Sequence, residues 1–123
     1  MRKAIVAGNW KMHKTASEAV ELVAELKPLL TGVEVETAIC PPATSLQAVH
    51  AALEGSAIGL GAQNMHWEGE GAFTGELSAG MILAAGCTYV ILGHSERRQY
   101  FGETDEWVNR KLIRALEAGL RPI

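Results

Sequence analysis

Apolar positions along this chain fall into short unbroken runs, separated by segments in which they recur every three or four residues. The runs are Lys3 to Gly8, Val35 to Cys40, Ala57 to Ala62, Thr88 to Leu92, and a last one opening at Leu120. A strand with one wet face alternates apolar and polar residues, whereas a run apolar nearly throughout predicts a parallel strand covered on both faces. Between the first two runs, Thr15-Ala16-Ser17-Glu18 spells a capping box. Behind it Ala19, Leu22, Val23, Leu26 and Leu30 share one helical face, and Pro28 predicts a kink or a loop at the end of that pattern. A second helix is predicted from Ser45 to Leu53, after Pro41-Pro42 and before Gly55. A third runs from Ser78 to Ala85 with Gly86 as its C′ residue, and a fourth from Asp105 to Ala118, between Thr104 as N-cap and Gly119 as the stop.

Four strand–helix units and the opening of a fifth strand make an α/β chain. Two architectures share that pattern: a doubly wound five-stranded sheet, and the first half of a (β/α)8 barrel, a fold of about 250 residues. The doubly wound sheet wants a fifth helix that the pattern does not supply, yet patterning alone leaves both open. The last apolar run is still in progress at Ile123. The chain therefore reads as one domain over 1–123 that is part of a longer protein.

Composition narrows the partners. Of 123 residues 48% are hydrophobic and 20% charged, with a formal net charge of -3, so no basic stripe exists to neutralise nucleic-acid phosphates or a membrane surface. Met1-Arg2-Lys3 leads directly into a strand-like segment with no signal-type apolar core behind it, and the expectation is a cytoplasmic protein. Cys40 and Cys87 lie in or beside apolar runs. They read as reduced packing residues, with a single disulfide as the alternative.

The stretch Tyr89-Val90-Ile91-Leu92-Gly93-His94-Ser95-Glu96-Arg97-Arg98 carries the most chemistry. An apolar run breaks at a glycine, presents a histidine, and opens into a charged helical turn. That puts an imidazole at the carboxyl end of a buried strand and against the positive end of a helix dipole, where the neutral form is favoured. Neutral imidazole still donates a hydrogen bond to an oxygen gaining charge. Ligands of parallel α/β folds bind at the carboxyl ends of the strands. Asn9 and Lys11 fall there after the first run, Gln63 and Asn64 after the third, and His94 after the fourth. Together they predict a site for a small anionic substrate. His13, His50 and His66 have no such setting and are expected at the surface.

Five segments, Gly8-Asn9-Trp10-Lys11-Met12, Cys40-Pro41-Pro42, Gly61-Ala62-Gln63-Asn64, Gly71-Ala72-Phe73-Thr74-Gly75-Glu76 and Gly93-His94-Ser95-Glu96-Arg97-Arg98, together resemble the triosephosphate isomerase family in order and spacing. The likeness covers the whole chain. It implies the (β/α)8 (TIM) barrel, here its first four βα units and the start of the fifth strand. It also implies interconversion of dihydroxyacetone phosphate and glyceraldehyde 3-phosphate through an enediolate, with no cofactor and no metal. On the resemblance, His94 is the neutral electrophile, Lys11 supplies positive charge to the substrate, and Asn9 helps position it. Ser95 and Glu96 would hold His94 and the Lys11 region from behind. The loop from Asn64 to Glu76, with Trp67, Phe73 and Thr74, would insert into a neighbouring subunit. Phe73, Thr74, Gly75 and Glu76 would form that homodimer contact, with Thr74 reaching toward the partner's active site.

The same resemblance implies what lies elsewhere. The family's proton-abstracting glutamate, its lid and most of its phosphate-gripping amides belong to the second half of the barrel, beyond Ile123. The expectation is that these 123 residues do not turn over alone and need either that second half or self-association to cover their open strand edges. A non-catalytic, self-associating half-barrel is the rival reading. A doubly wound receiver-type signalling domain is disfavoured, because that class gathers carboxylates for a divalent metal where this chain offers Asn9, Lys11, Asn64 and His94.

Overall fold

The computed structural model describes residues 1–123. The elements follow in the order β1 (Ile5–Asn9), α1 (Ala16–Leu29), β2 (Glu36–Cys40), a 3-10 turn (Ala43–Ser45), α2 (Leu46–Ala52), β3 (Gly59–Ala62), α3 (Ala79–Ala84), β4 (Tyr89–Val90), α4 (Ser95–Phe101), α5 (Asp105–Glu117) and β5 (Arg121–Pro122). Helix α1 begins as predicted. The Thr15 side chain accepts from the Glu18 N–H while Glu18 reaches back to the Thr15 N–H, and Pro28 stays inside the last turn. Thr104 caps α5 with its side chain alone, accepting the Trp107 N–H, and Gly119 follows at a φ of 84°.

All five strands are parallel, and their spatial order is their chain order, β1-β2-β3-β4-β5. This resolves the architecture. A doubly wound sheet reverses direction once and so buries its first strand in the interior. Here β1 lies on an edge and every step goes the same way, which is the winding of a barrel. Side chains that meet across the concave face show the curl. Glu36 of β2 bonds both Tyr89 of β4 and Arg121 of β5, although flat strands at about 4.8 Å spacing would set β2 and β5 about 14 Å apart.

The two faces differ in kind. Ile39, Leu60, Ala62 and Val90 point outward and form one core with Ala19, Val23, Leu46, Val49, Ile82 and Ala115 of the surrounding helices. The inner face is not apolar throughout, which corrects the expectation drawn from the runs. At the amino-terminal ends of the strands it carries Glu36, Tyr89 and Arg121, with Arg121 Nη1 donating to the Tyr89 hydroxyl at 2.6 Å and its guanidinium 4.8 Å from the Tyr89 ring centroid. A side chain on Gly59 would begin 2.6 Å from the Tyr89 ring. The glycine is what lets that ring fill the narrowing interior.

Two further differences concern helices. The second begins as a 3-10 turn after Pro42 and becomes α-helical only at Leu46. The charged turn after His94 grows into a separate two-turn helix, α4, ended by Gly102 at a φ of 65°. Both cysteines are free and buried, as read from the sequence, and burial pushes their thiols up to about 11 for Cys40 and about 12 for Cys87.

Candidate active site

Of the polar groups predicted at the carboxyl ends of the strands, Asn9, Lys11, Gln63 and His94 converge, whereas Asn64 is engaged by Lys111 instead. Asn9, Lys11, Met12, Gln63, His94, Glu96, Arg97 and Phe101 line one small cavity of about 170 Å³. Wider hollows of about 580 and 590 Å³ open at the other end of the strands, around Lys3 and Glu36 and around His50 and Thr88. Size points there, but the groups able to polarise a carbonyl stand in the small cavity.

His94 is the N-cap of α4. Its Nδ1 accepts the Glu96 N–H at 3.1 Å. An accepting Nδ1 carries no proton, so the hydrogen-bond pattern assigns the proton of the neutral ring to Nε2. The Glu96 carboxylate also lies 3.7 Å from Nδ1, too long for a hydrogen bond, and the shorter backbone donor is the partner that fixes the ring. The helix thus presents Nε2–H to the cavity as a free donor.

Lys11 sits opposite under strain. Its backbone holds a φ of 56°, a left-handed conformation that costs a non-glycine residue roughly 1–2 kcal/mol. Two side chains impose it. Asn9 Oδ1 accepts the Lys11 N–H at 3.0 Å, and Gln63 Nε2 donates to the Lys11 carbonyl at 2.8 Å and to the Cys40 carbonyl at 2.8 Å. The ammonium then meets Glu96 Oε1 at 2.6 Å, and that hydrogen bond holds the Glu96 carboxyl below the usual carboxylate range. Lys11 and Glu96 are 51% and 41% exposed at their side chains. A pair so wet contributes little stability, so its effect is to aim the cation. Ser95 opens α4 and is exposed.

Below His94 lies a charged cluster that the sequence reading did not single out. Glu103 and Lys111 have side chains 1% and 3% exposed and pair at 3.0 Å. Lys111 Nζ also donates to Asn64 Oδ1 at 2.9 Å. Glu103 further accepts from Arg97 Nε at 2.8 Å and from the Gly93 N–H at 3.2 Å. Burial raises the Glu103 carboxyl, but the hydrogen bonds from Arg97 and Lys111 outweigh it and leave it lowered. Arg98 Nε donates to the Gly93 carbonyl at 2.9 Å. Gly93 itself has a φ of 64°, and a side chain there would start 3.0 Å from Val108. The residue before the histidine is therefore clamped on both backbone groups.

The loop after β3 stands away from this cavity. Phe73 to Glu76 form a turn closed by the Glu76 N–H on the Phe73 carbonyl at 2.9 Å, with Gly75 at a φ of 91° and Phe73 42% exposed. His13 and His50 are exposed, as expected. His66 is half-buried rather than fully exposed, its ring tilted against those of Trp67 and Phe73. No three His, Cys, Asp or Glu side chains stand together in a metal-holding group, and no helix is long and apolar enough to cross a membrane.

With this geometry in place, comparison with known proteins is decisive. The sequence profile of the triosephosphate isomerase family matches residues 4–123. The chain belongs to the triosephosphate isomerase family. It is 56% identical over 123 residues to a triosephosphate isomerase of Alkaliphilus oremlandii and 59% identical over 124 residues to one of Endomicrobium trichonymphae, covering all of this chain and 50% of each relative. The crystal structure of triosephosphate isomerase from Bartonella henselae superposes with a TM-score of 0.91 at 38% identity, over 98% of this chain and 50% of that one. The chain thus spans about half the length of the triosephosphate isomerases it matches, and within it the fold is that of their barrel.

Proposed function

We propose that residues 1–123 form one structural unit that supplies the electrophile and the cation of a triosephosphate isomerase. The observation that carries this is the pairing, in one cavity, of a backbone-fixed His94 presenting Nε2–H with a Lys11 ammonium on a strained backbone. The substrate would be a phosphorylated triose, dihydroxyacetone phosphate or glyceraldehyde 3-phosphate, in glycolysis and gluconeogenesis. A proton leaves the carbon beside the carbonyl, the carbonyl oxygen gains charge, and Nε2–H stabilises the resulting enediolate. A fixed donor of this kind contributes a few kcal/mol, or roughly a hundredfold or more in rate. Lys11 offsets the negative charge of the substrate, Asn9 fixes Lys11, and Glu96 aims it. No cofactor enters the scheme.

Proton abstraction needs a carboxylate of its own. Glu96 is the one carboxylate lining the cavity and is already paired with Lys11. We infer that the base comes from the remaining half-length of polypeptide that the relatives possess. The complete protein is taken as a cytoplasmic homodimer whose 64–76 loop meets a second copy.

The test joins this chain to the carboxyl-terminal half of the Alkaliphilus oremlandii relative and assays isomerase turnover. The hybrid should be active, and His94→Gln should lower kcat by roughly a hundredfold with a smaller change in KM, because the donor acts on transition-state charge. A folded hybrid whose turnover ignores His94 removes the assignment.

A second reading is favoured by β1, an edge strand on which Val6 is 60% exposed. Two copies pairing along that edge would make a non-catalytic assembly. Self-association abolished by Val6→Lys but indifferent to Thr74→Arg would support it.

A further inference from the structure

The loop after β3 is braced from outside. Its two ends are tied to each other, where Met65 is buried and the His66 N–H donates to the Leu77 carbonyl at 2.8 Å. Between those ends a column of rings carries it. His66 lies 4.3 Å from Trp67 and 4.4 Å from Phe73, centroid to centroid. On its far side Trp67 meets Trp107 of α5 at 5.8 Å with the rings tilted by 56°, and the Arg110 guanidinium lies 5.4 Å from the Trp67 centroid. Arg110 is itself held by Glu106 at 2.7 Å. Arg114, on the same stripe of α5, has Nη2 3.2 Å from where a side chain on Gly69 would begin.

Residues 107, 110 and 114 share one helical face. Trp107 is 44% exposed and takes no part in the central core. A large apolar ring left on an outer helix face, with its indole against the loop's own tryptophan, has one evident neighbour to hold.

We propose that Trp107 and Arg110 are positioning residues that brace the loop in its projecting form, so that Phe73 to Glu76 meet a second copy of this chain already ordered. The mention of a second copy rests on the dimer reading given above; the brace does not. Ordering a loop in advance removes that cost from association. An aromatic pair and a partly exposed cation–π contact together are worth about tenfold in an equilibrium.

The loop contains its own reporters, Glu68 and Glu70, where a glutamyl-specific protease cuts once the loop opens. Cleavage is followed in a Thr74→Arg background, so that association does not shield the loop. Trp107→Ala, which removes the aromatic pair but leaves Arg110 on Trp67, should speed cleavage at Glu68 and Glu70 about fivefold and leave Glu21 and Glu25 of α1 unchanged, while Trp107→Phe should stay near the parent rate. Arg110→Leu, which removes only an exposed guanidinium, should give the same selectivity at smaller size. No selective acceleration in either variant overturns the brace. Sedimentation of Trp107→Ala without the Thr74 change should show self-association weakened about fivefold. Selective cleavage with unchanged association would keep the brace and show that the tip does not meet a second copy.

Discussion

Lys11 Nζ stands 2.6 Å from Glu96 Oε1, although one residue follows the first strand and the other lies in the first turn of α4. Both residues line the cavity. Their pair joins a lysine whose backbone is held at a φ of 56° to the helix whose N–H fixes His94. His94 and Lys11 are thus tied to each other through Glu96. The strain at Lys11 is offset by two hydrogen bonds, its N–H donating to Asn9 and its carbonyl accepting from Gln63.

Gln63 makes that point testable. Its amide serves the carbonyls of Lys11 and Cys40, and the Cys40 carbonyl keeps a second donor in the Trp10 N–H at 3.1 Å. Gln63→Leu should therefore cost about 1–3 kcal/mol of stability, and in the complete protein raise KM for triose phosphate more than it lowers kcat. Denaturant unfolding and steady-state kinetics measure the two effects. An unchanged KM would mean that Lys11 needs no such support.

The Glu103–Lys111 pair should behave differently from the exposed Lys11–Glu96 pair. Lys111→Ala leaves a buried carboxylate short of one partner, and such losses cost about 3–5 kcal/mol. Arg97 and the Gly93 N–H still reach Glu103, so the lower end of that range is expected. Glu96→Gln should cost under about 1 kcal/mol. Equal losses in urea unfolding would contradict the burial argument.

The inner layer sets an acid limb. The hydrogen bond from Arg121, followed by that from Tyr89, lowers Glu36 from 4.5 to about 2. A carboxyl lowered on folding adds stability that is whole above pH 4.5 and is lost as pH falls toward about 2. Thermal midpoints of the parent and Glu36→Gln should differ at neutral pH and draw together between those values. Parallel curves across that window would show that the pair does not respond to this titration.

Much of this was legible in the sequence because the signals are local. Thr15 with Glu18, Thr104 before α5, and glycines at 86, 93 and 119 each act within a few residues, and the histidine after Gly93 announces an N-cap of α4 by position alone. What escaped the reading depends on distant partners. Lys111 sits among charges that look like an ordinary solvated helix face, and only Asn64, 47 residues away, and the fold of the 93–103 segment bury it. Glu36, Tyr89 and Arg121 look like the ends of apolar runs until the curl of the sheet brings β2, β4 and β5 together. His66 looks like a loop residue until Phe73 folds back onto it. Patterning alone left two architectures open; the five segments that resemble the triosephosphate isomerase family pointed to the barrel, and the strand order agrees with it.

The Glu96 N–H held on Nδ1 implies that His94 carries its ring proton on Nε2. Nitrogen-15 chemical shifts of His94, measured at pH 8 on the labelled chain, test it most directly, because a bare and a protonated ring nitrogen resonate far apart. The expected result is a bare Nδ1 and a protonated Nε2, with the pattern lost when Glu96 is replaced by proline, which has no N–H to donate. A protonated Nδ1 beside a bare Nε2 would contradict it, because the ring would then present no donor to the cavity.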